Sequence, residues 1–173
     1  MSGQSRAVPS ADADPSAKAD LGRRSRANLR AFDESLPMGL LRAREATMRV
    51  FRPMLATHDL TEQQWRVLRA LHAADDPLDA STLAERTFLL SSSLSRILVN
   101  LDERGFLVRQ PDPADQRRSL IELSDVGRKL VAEVAPESEA GYRSIEAQFG
   151  EQRLAALMDE LLELANLDLG GDQ

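Results

Sequence analysis

The sequence contains no cysteine and only two histidines, His58 and His72, among its 173 residues. The absence of cysteine excludes disulfides, a thiol nucleophile and cysteine-ligated zinc or iron–sulfur centres, and two histidines are too few for a histidine-rich metal site. Aromatic residues make up 4% of the chain, which is low for a protein that stacks single-stranded bases. No apolar run approaches the roughly 20 residues of a transmembrane helix, and the N-terminus has no apolar signal core. We therefore expect a mostly helical cytoplasmic protein with no membrane partner.

Residues that would carry catalysis are also missing. The sequence has no glycine-rich phosphate loop, no Ser–His–Asp order and no legible pair of catalytic carboxylates. Its acidic residues fall on the predicted solvated faces of helices. We therefore predict no catalytic residues, no cofactor, no metal and no enzyme activity.

The net charge of −6 is distributed unevenly along the chain. Residues 1–35 carry a net charge of +1, residues 36–85 carry −1, residues 86–121 carry +2 and residues 122–173 carry −8. All but two of the 22 basic residues are arginine, whose planar guanidinium suits phosphates and base edges. The basic middle of the chain is therefore compatible with nucleic acid despite the acidic total. The acidic last third is either a region directed away from DNA or an ordinary acidic surface.

Both ends of the chain are predicted to lie outside the folded part. Residues 1–30 have almost no large apolar side chain and are rich in Ala, Ser, Asp and Arg, a composition that predicts a disordered tail. The arginines of this tail either form a solvated arm or contact the DNA backbone; they are Arg23, Arg24, Arg26 and Arg30. Residues 31–168 are predicted to form a single domain, followed by a frayed C-terminus at residues 169–173.

The first helix is predicted from about Leu36 to Leu55 by an amphipathic pattern. At 100° per residue, one wide apolar arc contains Leu36, Leu40, Leu41, Ala43, Thr47, Met48, Val50, Phe51, Met54 and Leu55. Arg44 also falls inside this arc. Because a buried arginine is costly unless it is paired, we expect Arg44 to meet an anion, either an acidic residue of another helix or a bound ligand.

Three helices are predicted in the middle of the chain. Thr61 and Gln64 form a capping box that opens the first of them. Short helices follow at about residues 79–87 and 91–104, joined by a turn at Phe88–Leu90. The second short helix buries one narrow face in an i, i+3, i+4, i+7 pattern, formed by Leu94, Ile97, Leu98 and Leu101.

A hairpin is predicted after the second short helix. Gly105 suits the left-handed position that ends a helix, and apolar strands follow at Phe106–Val108 and Ser119–Leu123, joined by a polar, basic tip. Two short helices and a hairpin together make a winged helix–turn–helix within a mainly α fold that has a minor β component. The alternative is a helical bundle whose serine-rich helix is incidental.

The outer face of the second short helix carries small hydroxyl groups and one arginine. The predicted DNA-binding residues of this helix are Ser91, Ser92, Ser93, Ser95, Arg96 and Asn100. Such a helix fits the major groove, where serines bond phosphates and Arg96 reaches a guanine edge. At the hairpin tip, Arg117 or Arg118 can enter a minor groove, whose negative potential attracts arginine.

Two further helices are predicted after the hairpin. Ser124 caps a long helix that runs to about Phe149, and Gly150 separates it from a final helix at about residues 151–167. The final helix is rich in leucine, so an apolar face of it needs a partner.

Three stretches carry a family signature. They are Leu60–Leu68 (LTEQQWRVL), the wing Asp115–Ser124 (DQRRSLIELS) and Gly127 just after the wing. By these stretches the chain from about Leu36 to Leu167 resembles the MarR family of bacterial transcription regulators, and the wing pattern is fairly specific for that family. The tail lies outside the resemblance.

Shorter stretches resemble one subgroup of that family, the homoprotocatechuate-operon repressors. They are Ala43–Ala46, Phe51–Pro53 and Thr61–Arg66. The long N-terminal tail is also similar to that of BpsR-type relatives of the nicotinate pathway. Both resemblances imply control of the catabolism of aromatic compounds.

The family resemblance implies a homodimer with one winged helix–turn–helix per chain. Helices at about residues 36–56 and 124–167 would form the dimerisation region, and residues 60–123 the DNA-binding module. The two modules would meet successive major grooves of a pseudo-palindromic, double-stranded operator. By the same resemblance, Arg117 is the minor-groove arginine and Asp115 is the acidic residue that orients it.

An effector site is also implied by the resemblance, because related regulators bind small aromatic carboxylates between the dimer region and the DNA-binding lobe. Arg44 is the predicted anchor of the carboxylate. The other predicted effector-binding residues are Thr47, Met48, Phe51, His58 and Trp65. The alternatives are a salt-bridged Arg44, a solvated loop histidine at His58 and a core tryptophan at Trp65.

The sequence and the resemblance together predict a repressor of an aromatic catabolic operon. A hydroxyphenylacetate- or hydroxynicotinate-like acid would release it from its operator by binding the DNA-incompetent state more tightly. Two alternatives stay open: a DNA-binding regulator without a small-molecule effector, and a helical dimerisation module that does not bind DNA.

Overall fold

A computed structural model describes residues 30–115 and 117–168 of the chain. The predicted tail before Arg30 and the predicted frayed end at residues 169–173 lie outside the described residues. Contacts between Cα atoms divide the chain into two units, residues 1–44 and residues 45–173. The prediction of a single domain at residues 31–168 stays a prediction.

Helices dominate the described residues, and a small sheet accompanies them. A 3-10 turn at Phe32–Glu34 precedes the regular elements, which are α1 Leu36–Thr57, α2 Glu62–His72, β1 Leu78–Asp79, α3 Ala80–Thr87, α4 Ser91–Glu103, β2 Leu107–Pro111, β3 Ser119–Leu123, α5 Asp125–Phe149 and α6 Glu151–Ala165. The mainly α fold with a winged helix–turn–helix, formed by α3, α4, β2 and β3, is confirmed. None of the described helices is long and apolar enough to cross a bilayer.

Side-chain caps explain where three helices begin. The Thr61 hydroxyl accepts a hydrogen bond from the amide of Gln64 at 3.2 Å, and the Gln64 side chain accepts one from the amide of Thr61 at 2.8 Å. This reciprocal pair is the predicted capping box of α2. The Asp79 carboxylate caps α3, and the Ser124 hydroxyl caps α5 by accepting from the amide of Gly127 at 3.0 Å. Each cap satisfies amides that have no partner inside their helix.

The sheet has three antiparallel strands in the order β1-β3-β2. Leu107 pairs with Leu123, and Leu78 pairs with Ile121. All four of these side chains are buried, so one face of the sheet packs on the core. Strand β1 was missed from the sequence, because a two-residue strand has no alternating pattern to detect.

The core of the second unit surrounds α2, α3 and α4. Its fully buried large side chains include Leu68, Leu83, Leu94, Leu101, Ile121 and Val134. The predicted inner face of α4 is confirmed, since Leu94, Ile97, Leu98 and Leu101 are all buried. Gly105 follows α4 with φ +73°, the left-handed conformation predicted for it.

Much of the predicted apolar arc of α1 is exposed in the single chain. Phe51, Met54 and Leu55 are buried. The exposed large apolar residues of the helix are Leu36, Leu40, Leu41 and Val50. Arg44 is exposed as well in the single chain, although its place in the apolar arc predicted a buried arginine. The expectation that Arg44 meets an anion stays a prediction. The arc of α1 is apolar by sequence, but only its C-terminal turns contribute to the buried core.

Candidate DNA interface and effector cavity

The outer face of α4 presents the predicted recognition residues to solvent. Ser91, Ser92, Ser95, Arg96 and Asn100 are exposed, and Ser93 is half-buried. The Ser95 hydroxyl donates to the carbonyl of Ser91 at 2.9 Å. The guanidinium of Arg96 makes no hydrogen bond or ion pair within the described part of the chain, so its N–H donors face outward.

Asn100 has a partner on another helix. Its side-chain oxygen accepts a hydrogen bond from the side-chain nitrogen Nε2 of Gln64 at 2.6 Å. Gln64 also belongs to the capping box of α2. The bond therefore ties the first turn of α2 to α4, and it leaves the amide N–H groups of Asn100 available for a base or phosphate.

The turn between α3 and α4 contains an unusual residue. Phe88 adopts φ +51°, in the left-handed region where a side chain costs about 1–2 kcal/mol. Its ring is 92% exposed, so burial of the ring does not offset that cost within the chain. The turn at Phe88–Leu90 was predicted, but its strained backbone was not.

The two wing arginines differ in their contacts. Arg118 forms an ion pair with the carboxylate of Asp79. The guanidinium of Arg117 is exposed and contacts none of the described residues by hydrogen bond or ion pair. Asp115 accepts a hydrogen bond from the backbone amide of Arg117 at 3.0 Å. Asp115 therefore orders the wing turn through the backbone of Arg117, whereas the resemblance implied that it orients the side chain.

Asp79 joins the base of the wing to α3. Hydrogen bonds from the Ser81 hydroxyl and from the amide of Thr82, together with the charge of Arg118, hold the pKa of the Asp79 carboxyl below its ordinary value. The carboxylate is therefore ionised at neutral pH. It caps α3 and attracts Arg118 at the same time, which fixes where the wing begins.

A cavity of about 350 Å³ lies among α1, α2 and α5 in the second unit. Its lining residues are Met48, Phe51, Glu62, Trp65, Arg66, Arg69, Ala70, Ser138 and Tyr142. The rings of Phe51 and Tyr142 have centroids 4.9 Å apart and are tilted by 54°, and Trp65 is buried beside the cavity. This volume lies within the range of about 300–1,000 Å³ that small-molecule sites occupy.

Two arginines give the cavity a cationic side. Arg69 donates to the Tyr142 hydroxyl at 2.8 Å, and its guanidinium carbon lies 5.8 Å from the centre of that ring. Arg66 donates to the carbonyl of Thr87 at 3.0 Å. A guanidinium has five N–H donors, so each arginine keeps donors beyond the single bond described.

The acidic residue of the lining is paired with a third arginine. Glu62 forms an ion pair with Arg52, which also bonds Glu45 at 2.6 Å. The two carboxylates raise the pKa of the Arg52 guanidinium above its ordinary value. Three arginines, Arg52, Arg66 and Arg69, therefore stand against two carboxylates at this cavity, which leaves it net positive and favours an anionic ligand.

The structure brings three predicted effector residues, Met48, Phe51 and Trp65, to this one cavity. Sequence reasoning missed Arg66, Arg69, Ser138 and Tyr142. The spacing of Trp65 and Arg69 (i, i+4) was the available signal, because such residues share a face of a helix. No comparable signal linked Tyr142, because it lies 73 residues after Arg69.

The other predicted effector residues lie elsewhere. Thr47 lines a separate apolar groove of about 240 Å³ between α1 and α5. His58 follows α1, and its Nε2 atom is 3.0 Å from a carboxylate oxygen of Glu137. Arg44 belongs to α1 in the first unit. Their roles in effector binding stay predictions.

The sequence profile of the MarR family matches residues 58–118. The chain is 40% identical over 134 residues to the HTH-type transcriptional regulator FarR of Neisseria gonorrhoeae, covering 78% of this chain and 91% of that protein. It is also 40% identical over 145 residues to the homoprotocatechuate degradative operon repressor of Escherichia coli, covering 80% and 97%. The chain belongs to the MarR family.

A solved structure supports the same assignment. The crystal structure of NadR in complex with 4-hydroxyphenylacetate matches this MarR-family chain with a TM-score of 0.71 and 37% sequence identity, covering 81% of this chain and 99% of that one. This MarR-family protein is therefore a DNA-binding transcription regulator and not an enzyme. Within the described ranges, no group of three side chains is placed to hold a metal ion.

Proposed function

We propose that this MarR-family protein is a cytoplasmic, homodimeric repressor of an aromatic catabolic operon, released from DNA by a small aromatic carboxylate. The observation that carries the proposal is the cavity of about 350 Å³, which combines aromatic rings with Arg66 and Arg69. A ligand that fits needs a flat apolar ring and an anionic group at one end. A hydroxyphenylacetate has both features, and a hydroxynicotinate is a smaller alternative.

The carboxylate is assigned to Arg69 and Arg66. Arg69 is exposed and keeps donors beyond its bond to Tyr142, so it can bind a carboxylate in a bidentate manner. The ligand ring then lies against Phe51 and Trp65. Arg44, the anchor predicted from the sequence, is a second candidate, and the variants Arg44→Ala and Arg69→Met separate the two.

The DNA surface is assigned to α4 and the wing. The exposed hydroxyls at the start of α4 would bond phosphates, and Arg96 would reach a guanine edge in the major groove. Arg117 would enter the adjacent minor groove, where the negative potential attracts a guanidinium with free donors. Asp115 and Arg118 would hold the wing turn, and Asn100 would add a further polar contact.

Release requires two conformations with different affinities. The acid must bind the DNA-incompetent conformation more tightly, because equal affinity for both would leave DNA binding unchanged. A coupling of about 1–3 kcal/mol gives a 5- to 150-fold weakening of DNA binding at saturation.

The test is fluorescence anisotropy on DNA from the region upstream of the coding sequence, at two salt concentrations. 4-Hydroxyphenylacetate, 3,4-dihydroxyphenylacetate and 6-hydroxynicotinate are titrated into the complex. The uncharged control is 4-hydroxyphenylacetamide, which keeps the ring and removes the carboxylate. We expect salt-dependent binding that one acid reverses and the amide does not.

Three outcomes would change the proposal. Release by the amide as well as the acid would contradict the arginine anchor. DNA binding that none of the acids reverses would contradict the effector and favour a regulator that responds to a protein partner. Weaker binding of the acid by Arg44→Ala but not by Arg69→Met, measured by isothermal titration calorimetry, would move the anchor from the cavity to Arg44.

A further inference from the structure

One side chain contacts both the effector cavity and the helix–turn–helix. Arg66 lines the cavity from α2, and its guanidinium donates to the carbonyl of Thr87 at 3.0 Å. Thr87 is the last residue of α3 and is fully buried. Arg66 therefore reaches from the cavity to the end of the helix that precedes the recognition helix α4.

The turn that Arg66 holds has few backbone hydrogen bonds, although Thr87 is buried and Leu89 packs against the core. Phe88 adopts the left-handed conformation, and the amides of Phe88 and Leu89 make long hydrogen bonds of 3.3 and 3.2 Å to carbonyls of α3. Leu90 is the N-cap of α4 and supplies no side-chain cap. Among the described residues, the bond from Arg66 is the hydrogen bond that reaches residues 84–91 from outside α3 and α4.

We propose that Arg66 couples occupancy of the cavity to the position of the recognition helix. In the DNA-competent state, Arg66 holds the carbonyl of Thr87 and so fixes the turn that sets the start of α4. A carboxylate in the cavity draws the guanidinium away, and the turn loosens. The inference rests on the proposed function, because it assumes an anionic effector in this cavity.

Hydrogen-bond chemistry gives the direction of this exchange. A guanidinium binds a carboxylate through two parallel, charge-assisted bonds, whereas it binds the Thr87 carbonyl through one bond to a neutral acceptor. The guanidinium is rigid and planar, so a carboxylate that takes Nη1 and Nη2 as its bidentate pair turns the plane toward the cavity and removes Nη1 from Thr87. The ligand therefore competes with the turn for one group, which provides the differential affinity that release requires.

Arg69 provides a matched comparison within the same cavity. It lies one turn further along α2, and its bond goes to the Tyr142 hydroxyl of α5, not to the helix–turn–helix. Replacing Arg69 should weaken binding of the acid, but the bound acid should still lower the affinity for DNA. Replacing Arg66 should remove this effect of the bound acid on DNA affinity.

The experiment measures the coupling ratio, which is the Kd for operator DNA with saturating 4-hydroxyphenylacetate divided by the Kd without it. The full-length wild type, Arg66→Met and Arg69→Met are compared, and isothermal titration calorimetry with the same acid defines saturation for each. We expect a ratio of at least about 5 for the wild type and for Arg69→Met. For Arg66→Met we expect weaker DNA binding without acid and a ratio below 2. A ratio for Arg66→Met equal to that of the wild type would overturn the proposal.

Hydrogen exchange of the wild type keeps the test decisive if Arg66→Met does not fold or does not bind the acid. Saturating acid should accelerate exchange of the Phe88 and Leu89 amides at least fivefold, because their bonds depend on the turn. Unchanged exchange at these amides in the acid-bound protein would overturn the proposal. A wild type that binds operator DNA but responds to none of the acids would contradict the proposed function itself, and this coupling with it.

Discussion

Arg117 and Arg118 are adjacent in the wing, yet the structure gives them different electrostatic surroundings. Arg118 is held by Asp79, whereas the exposed Arg117 has no such partner among the described residues. A guanidinium that is already paired must break a bond before it binds DNA, whereas Arg117 gives up only its contacts with water. Arg117 is therefore the wing residue from which we expect the larger contribution to DNA affinity.

Replacing Arg117 by alanine should weaken operator binding by about 1–3 kcal/mol and reduce the salt slope by about 1, because one cationic contact is lost. Fluorescence anisotropy at several salt concentrations measures both quantities. Arg143→Ala, at an exposed arginine of α5, is the control for a lost charge and should change the Kd less than twofold. An Arg117→Ala variant with wild-type affinity would contradict the wing assignment.

Asp79 should make stability depend on pH. The pKa of its carboxyl is lowered in the folded protein, so its contribution to the free energy of unfolding is present above about pH 4 and is lost as the pH falls toward the folded pKa. At pH 7, Asp79→Ala should lower the free energy of unfolding by about 1–2 kcal/mol, the contribution of an N-cap. Urea unfolding at pH 7, 5 and 3 should show this difference shrinking at the lowest pH.

Asp79→Asn is the matched control for that experiment. Asparagine keeps the capping oxygen but removes the charge that attracts Arg118. At pH 7, Asp79→Asn should therefore lower the free energy of unfolding by less than Asp79→Ala does. A difference between wild type and Asp79→Ala that stays constant from pH 7 to pH 3 would contradict the role assigned to the carboxylate charge.

At the scale of elements, the start of α5 is locked against the wing. The Ser124 hydroxyl donates to the carbonyl of Gly105 at 2.6 Å, and the Ser124 amide donates to the carbonyl of Phe106 at 3.0 Å. Gly127 lies against the same carbonyl, and a Cβ atom there would be 2.2 Å from its oxygen. Glycine is therefore required by the close approach of two backbones.

Replacing Gly127 by alanine should lower the free energy of unfolding by about 1–3 kcal/mol, because the added methyl group forces α5 away from the wing. The higher helix propensity of alanine offsets less than about 1 kcal/mol of this loss. Lys129→Ala, two residues along the same helix, is exposed and should change stability by less than about 0.5 kcal/mol. Equal stability of the two variants, measured by urea unfolding, would contradict this packing.

At the scale of the whole molecule, apolar surface remains uncovered in the single chain. Helix α6 has no buried residue, although its leucines follow a helical pattern. Leu157, Met158 and Leu162 of this helix are 40–58% exposed. A cluster of this kind marks an interface, and the proposed homodimer supplies a second copy of the same helix region.

Sedimentation should therefore give about twice the chain mass of 19.1 kDa. Leu162→Asp should shift the protein toward the monomer, because it introduces an unpaired charge into the apolar face. DNA binding should weaken in parallel, since a monomer contacts one half-site. Val108→Asp, at an exposed apolar residue of β2 outside the predicted dimerisation region, should remain dimeric. A wild-type monomer at micromolar concentration would contradict the dimer.

Local sequence patterns were sufficient to predict the helices and the wing. The capping box at Thr61, the inner face of α4 and the left-handed Gly105 each depend on residues within one or two turns, and each was confirmed. Predictions that required a distant partner were less successful. Arg44 was expected to be buried because the periodicity of α1 cannot show which of its turns other elements cover.

The sequence alone determined the family, the order of the elements and the residues that could face DNA, because these depend on short-range spacing and local chemistry. Only the tertiary structure decided which arginines share a cavity with aromatic rings. Phe51, Arg69 and Tyr142 come from three helices, and the bond between Arg69 and Tyr142 joins residues 73 positions apart. The contact between Arg66 and Thr87 arises in the same way. Side-chain periodicity describes one element at a time, whereas a cavity exists only where packing brings several elements together.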